Sequence, residues 1–157
     1  MGTDIKTIEK LLSGIYVATV ATHNRDGSIH AVPIWYLYEN GAFYLPTHES
    51  SVKARNVAAN PTATVTVDSR GPGPLRAAST SGPAEILTGQ AAEPFNRRCW
   101  ARYLTPAGLA DADVGGLLAS YDTACVKVVA GRWIWSDMGP LFKGKLENRE
   151  LVRAYSP

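Results

Sequence analysis

Cysteine is scarce in this chain, and the little there is cannot build a site. Cys99 and Cys125 are the two cysteines among 157 residues, and they form no CxxC pair or metal-ligand spacing. They read as buried thiols in a reducing compartment. Histidine is sparse as well. His23, His30 and His48 are separated by strand or loop and lack ligand spacing, so no metal centre is expected. No apolar run approaches the length of a membrane span, and Met1–Lys10 lacks the apolar stretch of a signal peptide. A cytoplasmic protein with no membrane partner is the expectation. A formal net charge of +2 is too small to mark a nucleic-acid surface, and an oligonucleotide-binding barrel would need a basic groove with interleaved aromatics. The order of Ser, His, Asp and Cys along the chain argues for no nucleophilic triad. Glu85, Glu93, Asp111 and Asp113 read as solvated side chains and not as a paired acid and base. There is no internal repeat and no low-complexity tract.

What is present is a globular composition, 45% hydrophobic and 19% charged, over a length that suits one domain spanning residues 1–157. Thr3–Leu12 reads as a short amphipathic helix, capped by Thr3 or Asp4, with Ile5, Ile8, Leu11 and Leu12 on one face. Strands are expected at Ile15–Thr22, Ser28–Tyr38, Ala42–Thr47, Thr62–Asp68 and Arg76–Thr88, separated by turn residues. Asn40-Gly41 is a strong hairpin signal that should make Ser28–Tyr38 and Ala42–Thr47 antiparallel neighbours. Pro33 cannot donate to a ladder, so it calls for a bulge, an edge or an unusual neighbour. Gly71–Pro74 is a loop, and Gly82-Pro83 reads as a bulge. Gln90–Leu104 reads as a helix carrying Phe95, Cys99 and Tyr103 on one face and Arg97, Arg98 and Arg102 elsewhere. A small-residue stretch of mixed helical character follows to Tyr121. Strands at Thr123–Ala130 and Arg132–Ser136, a loop at Asp137–Lys145 and a terminal helix at Leu146–Tyr155 complete the expectation. Antiparallel strands in succession argue for a barrel or sandwich and against a parallel α/β fold.

The stretch Phe43–Asp68, FYLPTHESSVKARNVAANPTATVTVD, organises the chain. It runs from a strand through a tight turn into a short helix and out to a second strand. Ser50 or Ser51 can cap the helix, Asn60-Pro61 ends it, and Ala54, Val57 and Ala58 form a narrow apolar stripe. Lys53 and Arg55 stand in its first turns, where the helix dipole is already positive and a cation is mildly unfavourable. Pointing into water, with Glu49 in balance, they would be ordinary helix formers. The order Thr47, Ser50, Ser51, Lys53, Arg55, Asn56 directly after a strand favours a phosphate cradle instead. His48 lies in the same turn and could touch a phosphate or a ring.

This run, with the preceding VPIWYLYENG, resembles the split β-barrel family of pyridoxamine 5'-phosphate oxidase-like proteins, its best motif being the KxRNxxxNP helix. The resemblance covers roughly residues 5–90 well and the last third loosely. It implies a mainly β (α+β) fold, a six-stranded antiparallel split β-barrel with a few short helices. It also implies a homodimer that binds FMN, or the deazaflavin F420, between its subunits. In the family the hydroxyl-rich turn and the following helix hold the cofactor phosphate, which carries over to Thr47, Ser51, Lys53, Arg55 and Asn56. Val52 stands where many FMN-binding relatives place a second cation, which leaves room for F420. The backbone around Val32 and Pro33 would approach the isoalloxazine ring, unless Pro33 only bends the barrel. Trp35, Tyr36, Trp133 and Trp135 could wall a planar ring or pack in the core, and relatives favour an aromatic from a late strand, here Trp135. The arginines of Gln90–Leu104 could draw the oligoglutamate tail of F420, or form a solvated face.

The chemistry then belongs to the cofactor, which fits the missing acid/base constellation. Two functions remain in view: an oxidoreductase moving hydride between FMN or F420 and a small organic substrate, or a non-catalytic storage or sensing protein for such a coenzyme. The C-terminus lacks the Arg- and Trp-containing segment that binds pyridoxal phosphate in the oxidases proper, so that activity is not expected.

Overall fold

Hydrophobic alternation at a period of two lays down the strands, and short capped helices fill the connections. A computed structural model describes residues 4–69, 75–143, 145, 148 and 150. The expected loop at Gly71–Pro74 lies outside the described residues, as does most of the expected helix at Leu146–Tyr155. In chain order the elements are α1 (Ile5–Leu12), β1 (Ala18–His23), β2 (Ile29–Ile34), β3 (Leu37–Glu39), β4 (Ala42–Thr47), α2 (Val52–Ala59), β5 (Thr62–Asp68) and β6 (Arg76–Thr88). A 3-10 turn (Gly89–Ala91) leads to α3 (Glu93–Tyr103) and α4 (Pro106–Ala110), and a π turn (Ala112–Gly116) leads to α5 (Leu117–Tyr121). β7 (Ala124–Val129), β8 (Trp133–Asp137) and α6 (Gly139–Phe142) follow. The last is a short helix inside the expected Asp137–Lys145 loop, started by a proline in its first turn.

The strands run in the order β2-β1-β5-β6-β7-β4-β3, with β8 also paired to β6, and every pairing is antiparallel. β6 divides its partners. Residues 77–83 pair with β5, residues 76–80 with β8, and residues 84–88 with β7. At the changeover a Cβ on Gly82 would stand 1.9 Å from the Val129 carbonyl oxygen, and one on Gly131 would stand 2.5 Å from that of Ser81. The two glycines therefore mark close backbone approach. Ile8, Leu12, Val20, Phe43, Leu45, Val57, Val65, Val67, Val126 and Val128 fill the interior.

This is the expected split antiparallel barrel with short helices, with eight strands among the described residues and not six. One of the extra strands comes from a break in the segment read as continuous from Ser28 to Tyr38. β2 pairs with β1, only β3 pairs with β4, and the chain changes sheets at Trp35-Tyr36. Tyr36 is fully buried and its N–H donates to the Tyr103 hydroxyl (3.2 Å) instead of to a strand. Trp35 stacks on the Tyr103 ring at 4.7 Å. The hairpin turn itself is as expected, with Asn40 at φ 51° and Gly41 at φ 76°, the left-handed pair that a tight antiparallel turn requires. β2 is an edge strand, so Pro33 leaves no ladder bond unmade. Among the described residues no helix is long and apolar enough to cross a membrane.

Candidate functional site

Ser51 is the N-cap of α2, and its surroundings decide what its hydroxyl is free to do. Its Oγ accepts from the Ala54 N–H (3.2 Å) and from the Thr47 hydroxyl (3.1 Å), which comes up from the buried end of β4. A hydroxyl has two acceptor lone pairs and one proton, so two incoming donors leave Ser51 with a proton to give. The helix start adds first-turn amides with no intrahelical acceptor and a positive dipole end. His48, one turn earlier, accepts from the Ser50 N–H at Nδ1 (3.1 Å) and has the Ser50 hydroxyl 2.7 Å away. Because Nδ1 is an acceptor, the neutral ring carries its proton on Nε2.

These groups open onto a cleft of about 460 Å³ lined by His48, Ser50, Ser51, Val52 and Arg55 on one side and Leu117, Ser120 and Tyr121 of α5 on the other. The two walls are pinned together where the Glu49 N–H donates to the Thr123 hydroxyl (3.2 Å). The lining carries one guanidinium and no carboxylate. A floor of hydroxyls, amides and one arginine is the donor set for a phosphate-sized anion.

The family model described as pyridoxamine 5'-phosphate oxidase matches residues 5–128. The chain belongs to this family. No curated protein matches the sequence. Among solved structures, a conserved hypothetical protein of Mycobacterium tuberculosis superposes with a TM-score of 0.71 at 22% identity, over 99% of this chain and 92% of its own. A FAD- and heme-binding protein of Mycobacterium smegmatis reaches 0.68 at 21% identity, over 87% of this chain and 72% of its own. A structure described as an F420 reductase reaches 0.61 at 21% identity, over 80% and 94%. At these identities the structural likeness speaks for the split-barrel fold of the pyridoxamine 5'-phosphate oxidase family, and the family's cofactor-binding character enters below as a proposal.

The cleft of this family member gathers His48, Ser50, Ser51 and Arg55 from the residues singled out by sequence, with Thr47 directly beneath them. The remaining candidates lie elsewhere. Lys53 is half-buried and does not line the cleft; burial lowers its pKa, and the charge of Asp122 opposes that shift. Asn56 is buried, donating from Nδ2 to Thr22 Oγ1 (3.1 Å) and Asn24 Oδ1 (2.8 Å). It takes the inward position expected of Ala58, which is exposed. Val32 packs against the core from β2, Pro33 is exposed on the same edge strand, and Trp135 packs against the core from β8.

None of the four aromatics proposed as ring walls lines the cleft. Tyr36 is covered by the Arg102 guanidinium at 4.5 Å, and Trp133 meets Tyr38 and Phe43. The arginines of α3 are engaged within the chain: Arg97 with Glu93, Arg98 with Glu39, and Arg102 with the carbonyls of Leu12 and Gly14. Arg102 is thus half-buried and caps the end of α1, in contrast to the solvated face expected of it. Sequence reading missed Leu117, Ser120 and Tyr121, because only the return of the chain from α3 to β7 brings that segment over α2.

Proposed function

We propose that this member of the pyridoxamine 5'-phosphate oxidase family is a flavin- or deazaflavin-dependent oxidoreductase acting on a small organic substrate. The observation that carries the reading is the Ser51 hydroxyl, with both lone pairs occupied and its proton available beside Arg55 and the open start of α2. These residues suit the phosphate of FMN or F420. When bound, the coenzyme supplies the hydride chemistry. The protein's own residues bind and orient it. Ser51 and Arg55 would hold the anionic end, His48 and Ser50 would shape the turn, and Thr47 would aim Ser51. Lys53, half-buried and outside the cleft lining, would add positive potential from the side of the helix. Two structural neighbours of the chain, described as a FAD- and heme-binding protein and as an F420 reductase, support a redox coenzyme of this kind.

A homodimer belongs to the same proposal. The outward face of the β2-β1-β5-β6-β8 sheet presents Ile29, Ala31, Pro33, Thr66, Ser79 and Ile134, small, hydroxylated or apolar side chains with little charge. Ile134 is 70% exposed and Ile29 55%. Such a flat face suits a second copy of the same sheet, and it would bring Pro33 near the partner. The test is the absorption spectrum of the purified protein followed by titration with FMN and with F420. Quenching of either coenzyme's fluorescence, with turnover when reduced coenzyme is offered acceptors, is the expected result. Binding without turnover would favour a storage or sensing role, and no binding of either would overturn the proposal.

A further inference from the structure

α5 is a partition with space on both sides. Leu117, Ser120 and Tyr121, spaced i, i+3 and i+4, share one face and line the cleft of about 460 Å³ against α2. Ala119 lies on the opposite face, where it lines two further cavities of about 390 and 330 Å³ together with Arg97 and Trp100 of α3. The segment around α5 is just as thinly supported. α4 and α5 bury no side chain, and the π turn between them buries only Gly115. Among the described residues, every hydrogen bond of residues 106–121 stays within the segment or reaches only Thr105, Asp122 and Thr123 beside it. We infer that α4, the π turn and α5 form a lid that rocks as one body between α2 and α3 and gates the α2 cleft. The gating role rests on the coenzyme-binding reading of that cleft; the motion does not.

The lid is stiff inside and fixed at its ends. Thr105 caps α4 by accepting from the Gly108 N–H (3.2 Å), and Asp111 caps the π turn by accepting from the Asp113 and Val114 N–H groups (2.9 and 3.0 Å). A Cβ on Gly115 would stand 2.0 Å from the Leu109 carbonyl oxygen, so the π turn and α4 are packed backbone to backbone. At the far end the chain is clamped. Asn96 Nδ2 donates to the Asp122 carbonyl (2.9 Å), Trp100 Nε1 to the Asp122 carboxylate (2.8 Å), and the Glu49 N–H to the Thr123 hydroxyl (3.2 Å). Asp122, at φ −81° and ψ 71°, is where helical backbone stops, and it makes the pivot. The Tyr121 ring, 5.5 Å from the His48 imidazole, touches the α2 turn close to that pivot. Rocking toward α3 fills the two cavities there and widens the α2 cleft, and rocking back reverses both. Neither direction exposes a buried side chain or breaks a hydrogen bond to the barrel, which places the lid among the least costly parts of the molecule to move.

The experiment is methyl relaxation dispersion on the whole chain without coenzyme, followed by stopped-flow mixing with FMN and with F420. The methyls of Leu109, Val114 and Leu117 should show exchange on the microsecond-to-millisecond scale with one shared rate, and those of the buried Leu12 and Leu45 none. Ala119→Leu puts bulk into the α3-side cavities, which should abolish the exchange and slow coenzyme association, with a melting curve recording that the variant is folded. Gly115→Ala forces α4 and the π turn apart, so Leu109 and Leu117 should then exchange at different rates. Flat dispersion at all three lid residues in wild type would refute the lid. Unequal rates in wild type would mean that the segment melts piecemeal, and would refute it as one body. Exchange that Ala119→Leu abolishes without slowing coenzyme association would refute the gating. If wild type binds neither FMN nor F420, the proposed function falls and the gating with it, while the dispersion still decides the motion.

Discussion

Replacing Asn56 by alanine separates two roles that a polar residue on α2 could have. In the structure Asn56 is 8% exposed and ties the helix to β1 and the turn after it, through Thr22 Oγ1 at 3.1 Å and Asn24 Oδ1 at 2.8 Å. Each such bond contributes about 1 kcal/mol net, so losing the pair should cost about 2 kcal/mol. A further fraction follows because Thr22, 1% exposed, would keep only a long 3.5 Å bond to the His30 carbonyl. With a urea dependence of about 2 kcal/mol/M, the unfolding midpoint should fall by about 1 M. Asn56→Asp, similar in shape but unable to donate to Asn24, should lose at least as much. Chemical denaturation followed by tryptophan fluorescence reads the midpoint, and coenzyme titration on the folded variant reads affinity. An unchanged midpoint with a loss of coenzyme affinity would refute the strut and make Asn56 a ligand contact.

Gly82→Ala sets a Cβ against the Val129 carbonyl, 1.9 Å away, and that contact is with backbone. A melting-temperature drop corresponding to roughly 1–3 kcal/mol or more is expected, and an unchanged melting curve would refute the close approach. Asp122, whose carboxyl is pushed above its ordinary value by burial despite the Trp100 N–H and the nearby Lys53, binds its proton more tightly folded than unfolded. Its contribution to stability is therefore full below the ordinary carboxylate range and is lost as pH rises through the folded value. Asp122→Asn, which keeps an acceptor for Trp100, should flatten that decline, as pH-dependent denaturation can measure. Cys99 and Cys125 are fully buried and burial raises both thiols, Cys125 to about 12. Neither should be alkylated by iodoacetamide in the native protein at pH 8, and both should react in denaturant; mass spectrometry counts the adducts.

What the sequence made legible is what short-range chemistry determines. Asn40-Gly41 needs only its own two left-handed residues to make a turn, and Ser51 needs only the next three residues to cap α2. The valines of β5 needed only their alternation. The break at Trp35-Tyr36 was hidden because its causes are distant: Tyr103 accepts what a strand neighbour would have taken, and Arg102 covers the ring. Lys53 read as a cradle cation because nothing within α2 shows Asp122, which arrives 69 positions later at the corner before β7. Asn56 carries a polar side chain inward for the same reason, since three strands separate it in the chain from its partners Thr22 and Asn24. Tyr121 sits in a stretch of small residues whose local pattern is weak, and its position facing His48 is a product of topology.

The division of β6 between its partners bears on how the molecule comes apart. One continuous backbone hydrogen-bonds to β5 and β8 along its first part and to β7 along its second, so neither half of the barrel owns a complete set of strands. Peeling one half away strips the central spine from the other. Amides along β5, β6 and β7 should therefore share one slow hydrogen-exchange class, with deuterium entering them through opening of the whole molecule.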